Sequence, residues 1–96
     1  MTEVTLTGHI VVPESDLAAV EAALPEHIEL TLQEPGCIEF SVVRDTESPR
    51  IFHVSERFVS SESFLLHQDR AKRSAWGEVS ANVERHYTTT GLDNCK

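Results

Sequence analysis

The chain is short of cations. Against 16 Asp and Glu it carries only 8 Lys and Arg in 96 residues, a formal net charge of −8. Affinity for a phosphate backbone comes mainly from lysine and arginine, so no nucleic-acid partner is expected, and anionic membrane surfaces are disfavoured on the same ground. The segment Arg50 to Phe58 also lacks the glycine-spaced aromatics with which a four-stranded RNA-binding sheet stacks bases. No apolar run approaches the roughly 20 residues that span a bilayer, so no membrane is expected either. Met1 to Thr7 alternate instead of setting a basic stretch before an apolar block. No secretory signal is read there, and a cytoplasmic protein is expected.

Cysteine is equally scarce. Cys37 and Cys95 are too few for a disulfide framework and neither has CxxC spacing. Cys37 reads as a small apolar strand residue. The five histidines, His9, His27, His53, His67 and His86, show no HxxxH or HExxH spacing, and no glycine-rich phosphate loop is present. A preformed zinc site is therefore not expected. What remains, 40 % hydrophobic and 25 % charged residues, is ordinary globular composition. A domain of this length buries only about 60 to 65 % of its unfolded surface, so self-association would reinforce a thin core.

Val4, Leu6, Gly8, Ile10 and Val12 alternate with more polar residues, the period of a strand with one apolar face. Gly8 interrupts that row, which marks a twist adjustment or a close approach by a ligand or another chain. From Ser15 the spacing becomes helical through Leu17, Val20, Leu24, Ile28 and Leu32, with Ser15 or Asp16 as the cap and a kink or break expected near Ala23 and Leu24 because of Pro25. Cys37 to Arg44 and Arg50 to Phe58 read as a hairpin, with Ile38, Phe40 and Val42 on one face of the first arm. Ser60 or Ser61 caps a second helix carrying Phe64, Leu65, His67 and Ala71. A further short helical stretch holds Trp76, Val79 and Val83, and a last strand runs from Glu84 to Thr90. The expected fold is a ferredoxin-like βαββαβ domain over residues 1–90, a four-stranded antiparallel sheet with helices on one face and a loose tail over 91–96. The uncovered face is expected to pair with a second copy as a homodimer.

Within this frame Glu56 shares a strand face with Phe52, Val54 and Phe58, and His67 follows Phe64 by one helical step. A buried acid opposite an inward histidine implies either a cavity with chemistry in it or a structural ion pair.

Glu34-Pro35-Gly36-Cys37 after a long helix, then Val54-Ser55-Glu56-Arg57-Phe58 and Phe64-Leu65-Leu66-His67-Gln68, resemble the antibiotic biosynthesis monooxygenase family of dimeric α+β barrels, over nearly the whole chain from Val4 to Tyr87. Similar domains are known as quinol oxidases, polyketide-tailoring oxygenases, haem-degrading enzymes and isomerases. The resemblance implies a quinol-monooxygenase-like enzyme that oxidises a quinol or polyphenol with dioxygen and needs no metal or flavin. In that scheme His67 is the base, and Glu56 orients it or stabilises its charged form. Trp76, Phe40 and Phe64 offer aromatic contact to the substrate, and Arg85 and Tyr87 hold a substrate oxygen. The haem-degrading branch has tryptophan where this chain has His67 and histidine close to Gly77, with an asparagine on the first strand where this chain has only Thr5, Thr7 and His9; those departures argue against haem. A dimeric module that binds or protects an aromatic metabolite, and an isomerase acting on small molecules, are the alternative readings.

Overall fold

The computed structural model describes residues 3–92, so Cys95 and the tail beyond Leu92 lie outside the described residues. The alternating apolar rows become strands β1 (Val4–Val11), β2 (Cys37–Arg44), β3 (Ile51–Phe58) and β4 (Glu84–Thr90). Helices α1 (Leu17–Leu32), α2 (Ser61–Arg73) and the short α3 (Ala75–Val79) connect them. The strands form one antiparallel sheet in the order β2-β3-β1-β4, the ferredoxin-like α+β arrangement expected from the sequence.

Period-two alternation sends Val4, Leu6 and Ile10 of β1, with Val12 just beyond it, to the helix-covered face, where all four are buried. Phe52, Val54 and Phe58 of β3 and Phe40 and Val42 of β2 join them, and Val20 and Phe64 press down from the helices. The register then fixes the site. Leu6 stands opposite Glu56, Glu56 opposite Phe40, and Gly8 lies between Val54 and Tyr87.

Three local expectations are corrected. Pro25 lies inside an uninterrupted α1, with no break at Ala23 and Leu24. The helix carries Val20, His27 and Thr31 into the core on either side of the proline, and that packing outweighs one missing backbone donor. Its N-terminus is entered through a short 3₁₀ turn (Glu14–Asp16), so neither Ser15 nor Asp16 supplies a side-chain cap. Ile38 does not share a face with Phe40 and Val42. A register shift between Cys37 and Glu39 makes it the extra residue of a bulge, and it is exposed. Ser60 does cap α2, accepting from Ser63 N–H at 3.2 Å. Leu92 packs against the core just past β4.

Gly8 has a backbone φ of 152°, and a Cβ there would lie 2.0 Å from the His86 carbonyl oxygen of β4. The close neighbour is thus the chain's own last strand. Gly8→Ala should destabilise the fold by about 2–3 kcal/mol through strain and overcrowding. Urea unfolding of the two proteins checks this, and equal midpoints would show that β4 shifts freely.

Candidate active site

The site begins at the end of α1. Helix α1 stops at Leu32 and the chain turns through Glu34, Pro35 and Gly36 into β2. Gly36 is needed because a Cβ would lie 2.1 Å from Ser63 Oγ, so this turn sits directly on the start of α2. The Val59 N–H also donates to the Gly36 carbonyl at 2.9 Å. Docked in this way, the turn delivers the Glu34 carboxylate to α2, where His67 Nδ1 lies 3.0 Å from Oε1. Arg70 Nε donates to the other carboxylate oxygen, and Arg70 Nη2 donates to Thr31 Oγ1 at 3.0 Å.

A carboxylate beside Nδ1 requires the proton on that nitrogen and leaves Nε2 as a lone pair. Nε2 faces Glu56, at 3.9 Å from Oε1, too far for a hydrogen bond. The carboxylate that orients His67 is therefore Glu34, and the assignment of that task to Glu56 is corrected. The sequence contained the acid in its turn motif, but helical and strand periodicities say nothing about where a turn residue points.

Burial pushes the His67 pKa below the ordinary histidine value, and Glu34 only partly offsets it. At neutral pH the ring is an uncharged base. Glu56, pinned between Phe40 and Leu6 on the neighbouring strands, is buried with Oε1 unpartnered. Burial first, and the Glu34 carboxylate second, raise its pKa from 4.5 to about 7. The same forces raise the Cys37 thiol, which keeps it protonated and unreactive at neutral pH.

Both groups line a cavity of about 710 Å³ between the sheet and α1, α2 and α3. Trp76, Arg85 and Tyr87 also line it, so five of the seven site residues expected from the sequence meet in one space. Gly77 lets α3 follow α2 tightly, since a Cβ would lie 2.3 Å from the Lys72 carbonyl, and this turns Trp76 inward. Arg85 Nη2 donates to Ser80 Oγ at 3.2 Å, and burial raises the Tyr87 phenol's pKa. Phe40 and Phe64 do not line the cavity. Phe40 packs edge-on against the rings of His27 and His67, and Phe64 packs against Phe58, so both support the site from behind.

His27 was not among the expected site residues. It is buried on α1, lines the cavity and stacks flat on Trp76 with ring centres 4.6 Å apart. Its spacing of seven from Val20 and four to Thr31 could have revealed the inward face. Burial, with help from His67 and Arg70, lowers its pKa to about 3. Among the described residues no three His, Cys, Asp or Glu side chains gather in a metal-holding group.

These shifts set a pH dependence of stability. His27 and His67 titrate lower when folded, so their contribution is complete above about pH 6.5 and is lost as pH falls below it, because the unfolded chain binds more protons. Glu56 acts oppositely, contributing fully below pH 4.5 and losing that contribution as pH rises to about 7. Between those values Glu56 compensates one histidine. Glu56→Gln should steepen the acid decline in unfolding free energy by about 1.4 kcal/mol per pH unit between about pH 4.5 and 6.5. Denaturant titrations across that range test it, and parallel curves for variant and wild type would refute it.

Comparison with known proteins agrees with this fold. Residues 4–79 match the family model described as antibiotic biosynthesis monooxygenase. A candidate antibiotic biosynthesis monooxygenase from Nitrosomonas europaea superposes with a TM-score of 0.77 at 20% identity, covering 94% of this chain and 97% of that one. A conserved protein of unknown function from Bacteroides thetaiotaomicron, described as a possible oxidoreductase, gives 0.72 at 21% identity, with 95% and 98% covered. A candidate antibiotic biosynthesis monooxygenase from Deinococcus radiodurans gives 0.72 at 18% identity, with 97% and 95% covered. No curated protein matches the sequence. The match over most of the chain, on a fold that assembles from the turn, strand and helix motifs derived above, makes the protein a member of the antibiotic biosynthesis monooxygenase family.

Proposed function

We propose that this protein is a cofactor-independent monooxygenase that oxidises a quinol or polyphenolic aromatic substrate with dioxygen and works as a homodimer. One observation carries the reading: a neutral imidazole held through Nδ1 by Glu34 offers a free Nε2 beside a carboxyl that ionises near neutrality, at the wall of a large cavity. Two groups whose environments suit them to accept and to give a proton at the same pH are what acid and base catalysis needs.

His67 Nε2 takes the phenolic proton. The aryloxide passes one electron to dioxygen, and the aryloxyl radical and superoxide combine to form a ring carbon–oxygen bond. Glu56 supplies a proton to the resulting peroxide. The ring hydrogen then leaves as a proton, the O–O bond breaks, and the pair of electrons released from carbon forms the carbonyl of a quinone. Dioxygen gains four electrons from the substrate, one oxygen stays on the ring, and the other departs as water with two hydrogens. Trp76 offers an aromatic wall, and Arg85 and Tyr87 are cavity groups suited to hold a second substrate oxygen.

The dimer is supported by the open sheet face. Its centre, Thr7, His9, Ser55, His86 and Thr88, holds no Asp, Glu, Lys or Arg in a chain of net charge −8, while Glu39, Arg57 and Glu84 stand nearer its margins. Thr7→Arg, at the centre of that face, should halve the mass measured by light scattering; a wild-type monomer would refute the assembly.

The catalytic reading predicts dioxygen consumption above heat-denatured controls when metal-stripped protein meets a panel of hydroquinones and polyphenols. His67→Ala should lower turnover by about 10²–10⁴-fold with the fold retained. Unchanged turnover would remove His67 from the mechanism. No uptake with any compound, alongside saturable quenching of Trp76 fluorescence, would support a binding module instead.

A further inference from the structure

Two histidines border the cavity, and their hydrogen-bonding states are opposite. His67 is fixed with its proton on Nδ1 by Glu34, so its Nε2 is an acceptor. His27 is fixed differently, by packing: it lies flat on Trp76 at an interplanar angle of 6° and meets Phe40 edge-on at 5.3 Å and 83°. Its backbone carbonyl accepts from Thr31 Oγ1, while its Nδ1 is buried with no partner among the described residues. An unpaired buried N–H is rarer and more costly than an unpaired acceptor, so the His27 proton belongs on Nε2. The ring lines the cavity and its Nδ1 is sealed off, which leaves the Nε2–H edge toward the cavity.

We infer that His27 is a second catalytic residue, whose Nε2–H donates to the same substrate oxygen from which His67 Nε2 accepts the proton, and which thereby holds the aryloxide. The substrate class is taken from the oxygenase reading above; the donor role itself follows from the tautomers. The two ring centres are 6.0 Å apart, a gap that one oxygen bonded at about 2.8 Å to a nitrogen of each ring can bridge. A donor held in place by packing stabilises developing charge with no reorganisation at the moment of reaction. Burial holds the imidazole neutral down to about pH 3, so the donor does not become a competing acid. Of the other charged groups on the cavity wall, Arg85 and Lys72 favour an anion there, whereas Asp69 opposes one and Glu56 does so when it ionises, near pH 7.

The test uses 4-nitrophenol, whose ionisation is read from phenolate absorbance. Bound to the wild type, it should ionise at lower pH than in free solution. His27→Phe keeps an aromatic ring against Trp76 without the N–H and should lower the preference for phenolate over phenol at least tenfold. His27→Gln, which restores a donor near the Nε2 position, should recover part of it. Nitrogen NMR of the wild type gives an answer that needs no variant to fold: His27 should be protonated on Nε2 and His67 on Nδ1. Equal ionisation of the probe in wild type and a folded His27→Phe, failure of the wild type to bind it, or a His27 proton on Nδ1 would each overturn the inference. The two readings fail separately. A His27-dependent shift without oxygen uptake would leave His27 as an aryloxide-binding group, whereas oxygen uptake with no His27 effect would remove this inference alone.

Discussion

The Glu34 carboxylate is the contact on which the arrangement of this small domain depends. It sits in the turn from α1 to β2, yet its partners, His67 and Arg70, are on α2, and Arg70 reaches on to Thr31 of α1. One acidic group thus ties together two helices that share few direct contacts with each other. Removing it would leave the buried His67 N–H with no acceptor and Arg70 with only Thr31 Oγ1, a larger penalty than the modest net value of the hydrogen bonds themselves. The same contact also selects the His67 tautomer, so the stability of the helix pair and the chemistry of the ring have a common origin.

The cavity wall carries polar groups that a thin core would not retain for stability. Glu56 is flanked by Leu6 and Phe40 and has an unpartnered oxygen, and His27 has an unpartnered nitrogen. Raising a carboxyl from 4.5 to about 7 corresponds to roughly 3 kcal/mol of disfavoured charge. That is a sizeable fraction of the 5–15 kcal/mol by which domains are typically stable. The buried row of Val4, Leu6, Ile10 and Val12, in one core cluster with Val20 of α1 and Phe64 of α2, offsets it. Natural chains depart from local consistency chiefly where function demands it.

Much of the fold was legible because its signals are periodic. Alternation in β1 and β3 and the Ser60 cap ahead of α2 each correspond to a local rule that tertiary contacts reinforce. Signals that depend on non-local geometry were lost. Pro25 is tolerated because of what α1 buries on both sides of it, and Ile38 leaves its face because β3 forces a bulge. In the candidate site, strand and helix faces indicated Glu56 and His67, while Glu34 escaped because turn residues carry no periodicity. His27 escaped for a different reason. On a helix read through its aliphatic residues, a polar residue is assigned to the solvent side, although Val20, His27 and Thr31 follow one inward stripe.

The contacts of His67 bear on whether it and Glu56 serve structure or chemistry. A pair built to hold α2 on the sheet would close to hydrogen-bonding distance and would draw the carboxyl pKa down and the imidazole pKa up. Here the separation is 3.9 Å, and both groups move the other way, toward their neutral forms. The helix is already held by Glu34 on the opposite edge of the same ring, so Glu56 adds no anchor that the fold lacks. An apolar residue of similar size would serve the core better, flanked as it would be by Leu6 and Phe40. The 3.9 Å separation, the unpartnered Glu56 oxygen and the shared cavity wall are the observations on which the proposed proton-handling role rests.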